Sequence, residues 1–187
     1  MPSVPISIES LNKTQEFQEF IDLCGLIGVR PDWVQAGGGN ISVKIGDEML
    51  IKPSGSTFFD LYLGKISPSN LDWKLIKEDL FKGKKLESWD KYTFDWGTPR
   101  ASLEFGFHSL TRKYTVHIHP TSVVSALATC PTKVQEKWPD APIIDYVKPG
   151  EDLAAQLAPY CDVETKVLPE PAGPLQITSS LFFNASI

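Results

Sequence analysis

The segment spanning residues 114–119 constrains the fold most, because its side chains alternate as they do in a β-strand. Residues two apart in a strand share a face, so we expect Val116 and Ile118 to point into the core and His117 and His119 to point together to the other side. Two imidazoles on one face can bind a single divalent ion, at zinc–nitrogen distances of about 2.0–2.1 Å. The alternative is two histidines on a solvated sheet face, and the His-x-His pattern alone does not decide between them.

The stretch before this strand carries a helix signal. Thr98 fits the N-cap position and Pro99 the first helical position, which predicts a helix running to about Leu110. Glu104 and His108 are four residues apart and would share one face of that helix. A short turn then leads into the histidine strand, which would bring Glu104 near both imidazoles. Beside a metal, Glu104 could act as ligand or general base, and otherwise it is an exposed helical glutamate. We expect His108 to pack near the site without binding metal.

A glycine-rich turn and a hairpin lie nearer the N-terminus. Gly37–Asn40 precedes the alternating residues 41–44, Gly46-Asp47 is a turn signal, and residues 49–51 read as a returning strand that ends near Ser54-Gly55. The turn lacks the glycine spacing of a dinucleotide fold and the lysine of a P-loop. Its backbone N–H groups can still form an anion-binding nest, with Ser54-Gly55 as a second small anion site. Either segment can equally be a flexible turn.

Weaker signals complete the outline of the fold. Helical spacing predicts helices over residues 13–28 and 123–128, near Leu75–Leu80, and over 151–157, while residues 143–147 and 163–168 read as extended. This order indicates an α/β fold with a mixed, largely antiparallel central sheet flanked by helices. We expect one domain over residues 1–187, with residues 1–10 and 169–187 poorly ordered.

Composition restricts the class of partner and the compartment. A net charge of −5 argues against a nucleic-acid binder. The chain shows neither a signal-peptide pattern nor an apolar run long enough to span a bilayer. Cys24, Cys130 and Cys161 are far apart and odd in number, so we expect buried, reduced thiols and a cytoplasmic protein without membrane association.

Four segments together resemble the class II aldolase/adducin family. They are QAGGGNISVK (35–44), MLIKPSG (49–55), the Glu104-x-x-x-His108 pair and VHIHP (116–120), and their order and spacing match the family from about Phe17 to Leu168. The resemblance implies a class II aldolase-like αβα fold, a Zn²⁺ or other divalent cofactor, a homotetramer and a small sugar phosphate as substrate. It assigns the metal to His117 and His119 and the acid/base role to Glu104. It assigns the substrate phosphate to Gly37, Gly39, Asn40, Ser54, Gly55 and Ser102.

The chain departs from the family pattern at two places. Where the family carries a third metal histidine in an Asn-His-Gly turn, residues 169–174 read Pro-Glu-Pro-Ala-Gly-Pro. Glu104 is therefore the candidate third ligand, with Glu170 a less favoured donor. Leu103 stands where the family often has a second serine.

The resemblance implies a lyase that cleaves or forms a carbon–carbon bond in a ketose phosphate through a metal-stabilised enediolate. A sugar-phosphate epimerase or dehydratase would use nearly the same residues. The rival hypothesis is a non-catalytic, adducin-like interaction domain, or a degenerate enzyme that has lost the third metal histidine.

Overall fold

The protein is built around an antiparallel sheet. The computed structural model describes residues 8–86, 88–94, 97–144, 147–161 and 183–184. In this part of the chain, one sheet has four strands in the order β3-β2-β1-β4, with every neighbouring pair antiparallel. The strands are β1 (Asn40–Ile45), β2 (Glu48–Ile51), β3 (Ser69–Asp72) and β4 (Tyr114–His117). The predicted hairpin and the predicted α/β fold with an antiparallel central sheet are both confirmed.

Helices surround the sheet and join its strands. Within the described residues they are α1 (Ile8–Leu11), α2 (Gln15–Gly28), α3 (Phe58–Tyr62), α4 (Trp73–Phe81), α5 (Phe105–Leu110), α6 (Thr121–Thr129), α7 (Pro131–Lys137) and α8 (Glu151–Cys161), with a 3₁₀ helix at Trp89–Tyr92. The helix predicted over residues 13–28 is confirmed, and it begins after Thr14, whose hydroxyl accepts a hydrogen bond from the Phe17 N–H at 3.2 Å.

A second, two-stranded pairing joins β5 (Ile143–Ile144) to β6 (Phe183–Asn184) in parallel. Within the extended segment predicted over residues 143–147, Ile143–Ile144 form a strand, and residues 145–146 lie outside the described part of the chain. The strand predicted over residues 163–168 lies outside the described residues. None of the helices described combines the length and the apolar character that crossing a bilayer requires.

The two faces of the sheet bury different kinds of side chain. On the first face, apolar residues of β1 pack with buried residues of α2 and α3; the cluster includes Ile41, Val43, Ile45, Phe20, Cys24, Ile27, Phe58 and Leu61. On the second face, Met49 and Ile51 of β2 pack with Leu71 of β3 and with residues of α4 and α5. Because side chains alternate along a strand, the second face also receives Asn40, Ser42 and Lys44 of β1. The candidate site lies on this second face.

The helix predicted from Pro99 to Leu110 is wrong in its first half. The helix starts at Phe105, and residues before it run along the end of the hairpin. The Ser54 N–H donates to the Arg100 carbonyl at 2.9 Å, and Pro53 and Ala101 form an isolated antiparallel bridge. The Ser69 hydroxyl donates to the Pro99 carbonyl at 2.8 Å. These long-range contacts hold the chain extended, so a local capping signal does not start a helix there.

Three further expectations need correction. The strand β4 ends at His117, two residues short of the prediction, and the N–H of His119 donates to the Trp33 carbonyl at 2.8 Å. Val116 is 40% exposed and not in the core, whereas Ile118 is partly buried and packs against the first-face cluster. Cys130 is exposed and Cys161 half-buried, so of the three thiols only that of Cys24 is buried as expected.

Candidate metal and substrate site

The two histidines of the VHIHP segment meet at the end of β4. Their Nε2 atoms are 3.1 Å apart, and the rings stand nearly perpendicular, at 71°, with centroids 4.7 Å apart. His117 is paired with Asn40 of β1, which places its side chain on the second face of the sheet. His119 follows the strand and reaches the same point because the loop around Trp33 holds its backbone. The structure thus brings the predicted pair together.

Glu104 approaches the pair from the N-terminus of α5. Its Oε1 lies 2.8 Å from Nδ1 of His117, which is the ring nitrogen that faces away from His119. The Asn40 side chain lies beside the carboxylate and helps to lower its pKa. Both partners are largely buried, with 16% of the Glu104 side chain and 23% of the His117 side chain exposed. In this arrangement Glu104 orients His117 so that its Nε2 points toward His119.

The electrostatics of the group favour an ionised Glu104 carboxylate and a neutral His119. Burial by itself raises the pKa of Glu104, but the hydrogen bond and charge of His117, the charge of His108 and the hydrogen bond from Asn40 outweigh it and lower this pKa to about 2. Burial, followed by the proximity of His117, lowers the pKa of His119. Glu104 is therefore ionised at neutral pH, and His119 is neutral, which is the form that binds metals.

The donor geometry fits a divalent ion in part. Two nitrogens that are each about 2.0–2.1 Å from one tetrahedral ion stand about 3.3–3.4 Å apart, close to the distance between the two Nε2 atoms. Catalytic zinc sites usually have three protein ligands. No group of three histidine, cysteine, aspartate or glutamate side chains arranged to hold an ion occurs within the described ranges. Glu104 would have to turn away from Nδ1 of His117 to become the third ligand. The predicted alternative donor, Glu170, lies outside the described residues.

The predicted phosphate-binding segments lie next to one another. An added side-chain carbon at Gly37 would stand 3.5 Å from the Ser56 carbonyl oxygen and 3.7 Å from the Gly55 carbonyl, so the glycine turn packs on the Ser54-Gly55 turn. Ser102 follows Ala101 in the chain, and Ala101 forms a bridge with Pro53, the residue directly before the Ser54-Gly55 turn. The turns also adjoin the histidines. An added carbon at Gly38 would stand 3.4 Å from Nδ1 of His119.

Lys52 is a buried cation that the sequence interpretation missed. Its Nζ donates to the Gly37 carbonyl at 3.1 Å and to the Ser56 carbonyl at 2.7 Å, so it ties the two turns together from below. Burial lowers the pKa of this lysine, while the charge of Glu104 opposes that effect. The sequence did contain a signal for this role, namely a lysine inside the run MLIKPSG, directly before a turn. Lys52 thus places a cation next to the predicted phosphate site.

His108 takes the structural position expected for it. Its ring is fully buried, and Nδ1 lies 2.7 Å from the Ser42 hydroxyl of β1. Burial lowers the pKa of His108 to about 3, against the opposing charge of Glu104, so the ring is neutral. The contact with Ser42 was not foreseen, because nothing in the local sequence links residues on β1 and α5.

The fold is that of an α/β protein, with a four-stranded antiparallel sheet and helices on its faces. The histidine pair beside a buried carboxylate makes a candidate metal site. The sequence model described as the class II aldolase and adducin N-terminal domain matches residues 18–173. The chain belongs to the class II aldolase/adducin family. No curated protein sequence matches the chain.

Solved structures with related folds agree with this assignment. The N-terminal class II aldolase domain of a conserved protein from Thermoplasma acidophilum is 21% identical and has a TM-score of 0.64, and the match covers 82% of this chain and 78% of that chain. YgbL from Escherichia coli, whose description leaves its activity open between aldolase, epimerase and decarboxylase, is 19% identical with a TM-score of 0.51. That match covers 77% of this chain and 69% of YgbL. At such identities the likeness establishes the fold and no more.

Proposed function

We propose that this protein is a metal-dependent lyase of the aldolase type, which cleaves or forms a carbon–carbon bond in a small ketose phosphate. The observation that carries the proposal is the pair of Nε2 atoms of His117 and His119, 3.1 Å apart, with the Glu104 carboxylate on the far side of His117. Family membership supports a general aldolase-type reaction.

Each group has a role in this proposal. His117 and His119 would hold a Zn²⁺ or another divalent ion, and Glu104 is the candidate third ligand. A bound ion of this kind supplies Lewis-acid polarisation of the substrate oxygens. Glu104, which is ionised at neutral pH, accepts a proton from the substrate and returns it to the product. A carboxylate that both binds the ion and moves the proton must alternate between the two tasks.

The substrate phosphate is proposed to bind where the two turns meet. Gly37, Gly39 and Asn40 line one side, and Ser54, Gly55 and Ser102 line the other. Backbone N–H groups in such turns favour anions. The buried side chain of Lys52, whose Nζ donates to the Gly37 and Ser56 carbonyls, adds a positive charge next to both turns.

The first test is metal content. We expect protein purified without added metal to carry about one zinc or other divalent ion per chain, measured by mass spectrometry of the elements, and the His117→Ala/His119→Ala double variant to carry none. Exposed Glu136 provides a matched control, since Glu136→Gln removes the charge of a solvent-exposed carboxylate on α7 that has no role in the proposal. Wild-type protein without stoichiometric metal, unchanged by the double substitution, would end the enzyme proposal.

The second test is the reaction. Ketose phosphates are screened for aldehyde release, and epimerised or dehydrated products are analysed in the same mixtures, since an epimerase or dehydratase would use the same residues. With the active substrate, Glu104→Gln should lower kcat by about 10²–10⁴-fold, because the amide cannot take up the proton. Equal turnover by wild type and Glu104→Gln would remove Glu104 from the proposed chemistry.

A second candidate function is a non-catalytic interaction domain. The third histidine of the chain, His108, is buried against Ser42 and so does not complete a three-histidine shell. Two histidines bind zinc weakly without a further donor. Absence of both metal and turnover, in a protein that is folded and assembled, would favour this candidate.

A further inference from the structure

Polar side chains on one face of β1 contact the segment that carries Glu104. We call Asn40, Ser42 and Lys44 the polar row. The Asn40 side chain lies beside Glu104 and helps to lower the pKa of its carboxyl, and the Ser42 hydroxyl lies 2.7 Å from Nδ1 of His108. The Lys44 ammonium donates to the Ser109 carbonyl at 2.9 Å and to the Thr111 carbonyl. The row therefore meets the segment at its start, its middle and its end.

The spacing of these contacts follows from strand and helix geometry. Two residues along a strand advance about 6.6 Å, and four residues along a helix advance about 6.0 Å. Because these two advances are nearly equal, Asn40 can lie beside Glu104 while Ser42 contacts His108. A shift of α5 by one residue would break both contacts, so the row sets the axial position of the helix as well as its distance from the sheet.

Apolar packing also holds the helix, because Phe107 and Leu110 pack against residues of α8 and Phe105 packs into the second-face cluster. Such packing is less specific for axial position than hydrogen bonds are. The helix has six residues, too few for a helix to be stable by itself, and the Glu104 side chain makes no capping bond to it. At its far end, Lys44 takes two of the carbonyls that a helix C-terminus leaves without partners. The Thr111 hydroxyl also bonds that of Thr115 on β4.

The contact at His108 involves one ring nitrogen. Nδ1 faces the Ser42 hydroxyl, while Nε2 has no hydrogen-bond partner among the described residues. Both Ser42 and His108 are fully buried. Loss of the Ser42 contact would therefore leave both ring nitrogens of the buried His108 without a partner among the described residues, which disfavours the present position of α5 on β1.

We propose that Ser42, His108 and Lys44 are positioning residues that act through Glu104: they lock α5 on β1 so that the Glu104 carboxylate meets Nδ1 of His117. The catalytic meaning of this contact rests on the proposed function, in which Glu104 transfers the proton. The contact itself is present without a ligand.

Two substitutions of His108 separate the hydrogen bond from packing. In His108→Asn the amide places a polar atom where Nδ1 stands and keeps the Ser42 contact, although it removes volume. In His108→Gln the volume is better kept, but the polar atoms reach toward the Nε2 position. We expect His108→Gln to lower kcat by about 10–100-fold with little change in KM, and His108→Asn to stay within a few-fold of wild type.

A second readout needs neither metal nor substrate. The imidazole nitrogens of His117 are followed by ¹⁵N NMR in metal-free protein, where the Glu104 carboxylate oxygen lies 2.8 Å from Nδ1 and should favour a proton on that nitrogen. We expect His108→Gln and Ser42→Ala to shift the His117 signals toward a mixture of tautomers, and His108→Asn to keep them. Ser109→Ala is the matched control, because it removes an equally buried hydroxyl of α5 that donates within the helix, to the Gly106 carbonyl at 2.6 Å.

The outcomes decide the proposal in either direction. Retained kcat and His117 signals in His108→Gln, with losses in His108→Asn, would mean that packing positions the helix, and the proposal would be overturned. Unchanged signals in Ser42→Ala would overturn it as well, and since this variant deletes one atom it tests the proposal even where a His108 variant does not fold. Wild-type protein without turnover would refute the proposed function alone, because the NMR readout would still report on the contact.

Discussion

At Gly39 the backbone has a φ of +71° directly below the carbonyl oxygen of His117. An added side-chain carbon would stand 2.7 Å from that oxygen, which is a backbone atom and cannot swing away. Glycine is therefore required here for two separable reasons: the left-handed conformation and the close approach of two chain segments. The second reason links this residue to the metal site, because any displacement of the His117 backbone moves its ring.

The substitution Gly39→Ala tests this link against Gly46→Ala. Gly46 also has a positive φ, of +62°, but nothing lies within 4 Å of an added carbon there. We expect Gly46→Ala to lower the free energy of unfolding by about 1–2 kcal/mol from backbone strain, and Gly39→Ala to lower it by about 2–5 kcal/mol, because a steric clash is added. Urea unfolding measures both free energies. Equal losses in the two variants would mean that the chain near His117 adjusts to the added carbon without a loss of stability.

At the scale of elements, Asp79 joins α4 to the chain that follows it. Its carboxylate is buried and receives Lys84 Nζ at 2.6 Å, Lys91 Nζ at 2.7 Å and the Tyr92 hydroxyl at 3.2 Å. The hydrogen bonds from Lys84 and Lys91 hold the pKa of Asp79 well below its ordinary value of 3.8, against the effect of burial. This cluster fixes the 3₁₀ helix against α4 on the second face of the sheet.

The sign of the pH effect at Asp79 follows from that lowered pKa. The ionised carboxylate stabilises the folded state at every pH above about 4, and the contribution is lost as the pH falls and the folded protein takes up the proton. We expect Asp79→Asn to be destabilised relative to wild type at pH 7, with the difference shrinking below pH 4. Urea unfolding of wild type and Asp79→Asn at pH 7 and at a pH below 4 measures the difference in the free energy of unfolding.

The neighbouring residue provides the control for that experiment. Glu78 pairs with Lys82 on the exposed face of the same helix, and exposed pairs of this kind contribute about 0.5 kcal/mol or less. Glu78→Gln should therefore unfold almost as wild type does at both pH values. A difference between wild type and Asp79→Asn that does not change with pH would contradict the assignment of the effect to the carboxylate charge.

Elements with a regular local pattern could be predicted from the sequence. The helix α2 and the β1–β2 hairpin follow from apolar periodicity and turn residues. The false helix start at Pro99 has a different cause. Thr98 and Pro99 carry a helix signal, but Arg100 and Ala101 are bonded to Ser54 and Pro53, and a contact between distant segments overrides a local preference.

At the scale of the whole molecule, the sequence predicts which segments form the candidate site, but it does not predict how their side chains contact one another. Spacing and resemblance identified Glu104, His117 and His119, and the structure brings them together. Neither could predict that Glu104 would face Nδ1 of His117, or that Lys52 would be buried under both turns. Such details depend on how the second face of the sheet is packed, which strand alternation alone does not specify.

Assembly is the prediction that belongs to this scale. From the resemblance we expect a homotetramer, with a mass of four times the 20.8 kDa of one chain. Light scattering coupled to size exclusion, at micromolar concentration, measures it. Exposed Leu26, Val29 and Leu63 are apolar side chains available for such contacts. A monomer across the concentration range would contradict the expectation and would leave the fold unaffected.

The alternation along β1 also bears on how the sheet avoids misfolding. A slip of β1 by one residue against β2 and β4 would turn Asn40, Ser42 and Lys44 toward the apolar side of α2 and would point Ile41 and Val43 at α5. Each buried polar group left without a partner would cost about 1–3 kcal/mol. Slipped pairings are therefore penalised on both faces at once. The residues that seat the helix carrying Glu104 also let the folding chain distinguish the native strand register from its nearest competitors.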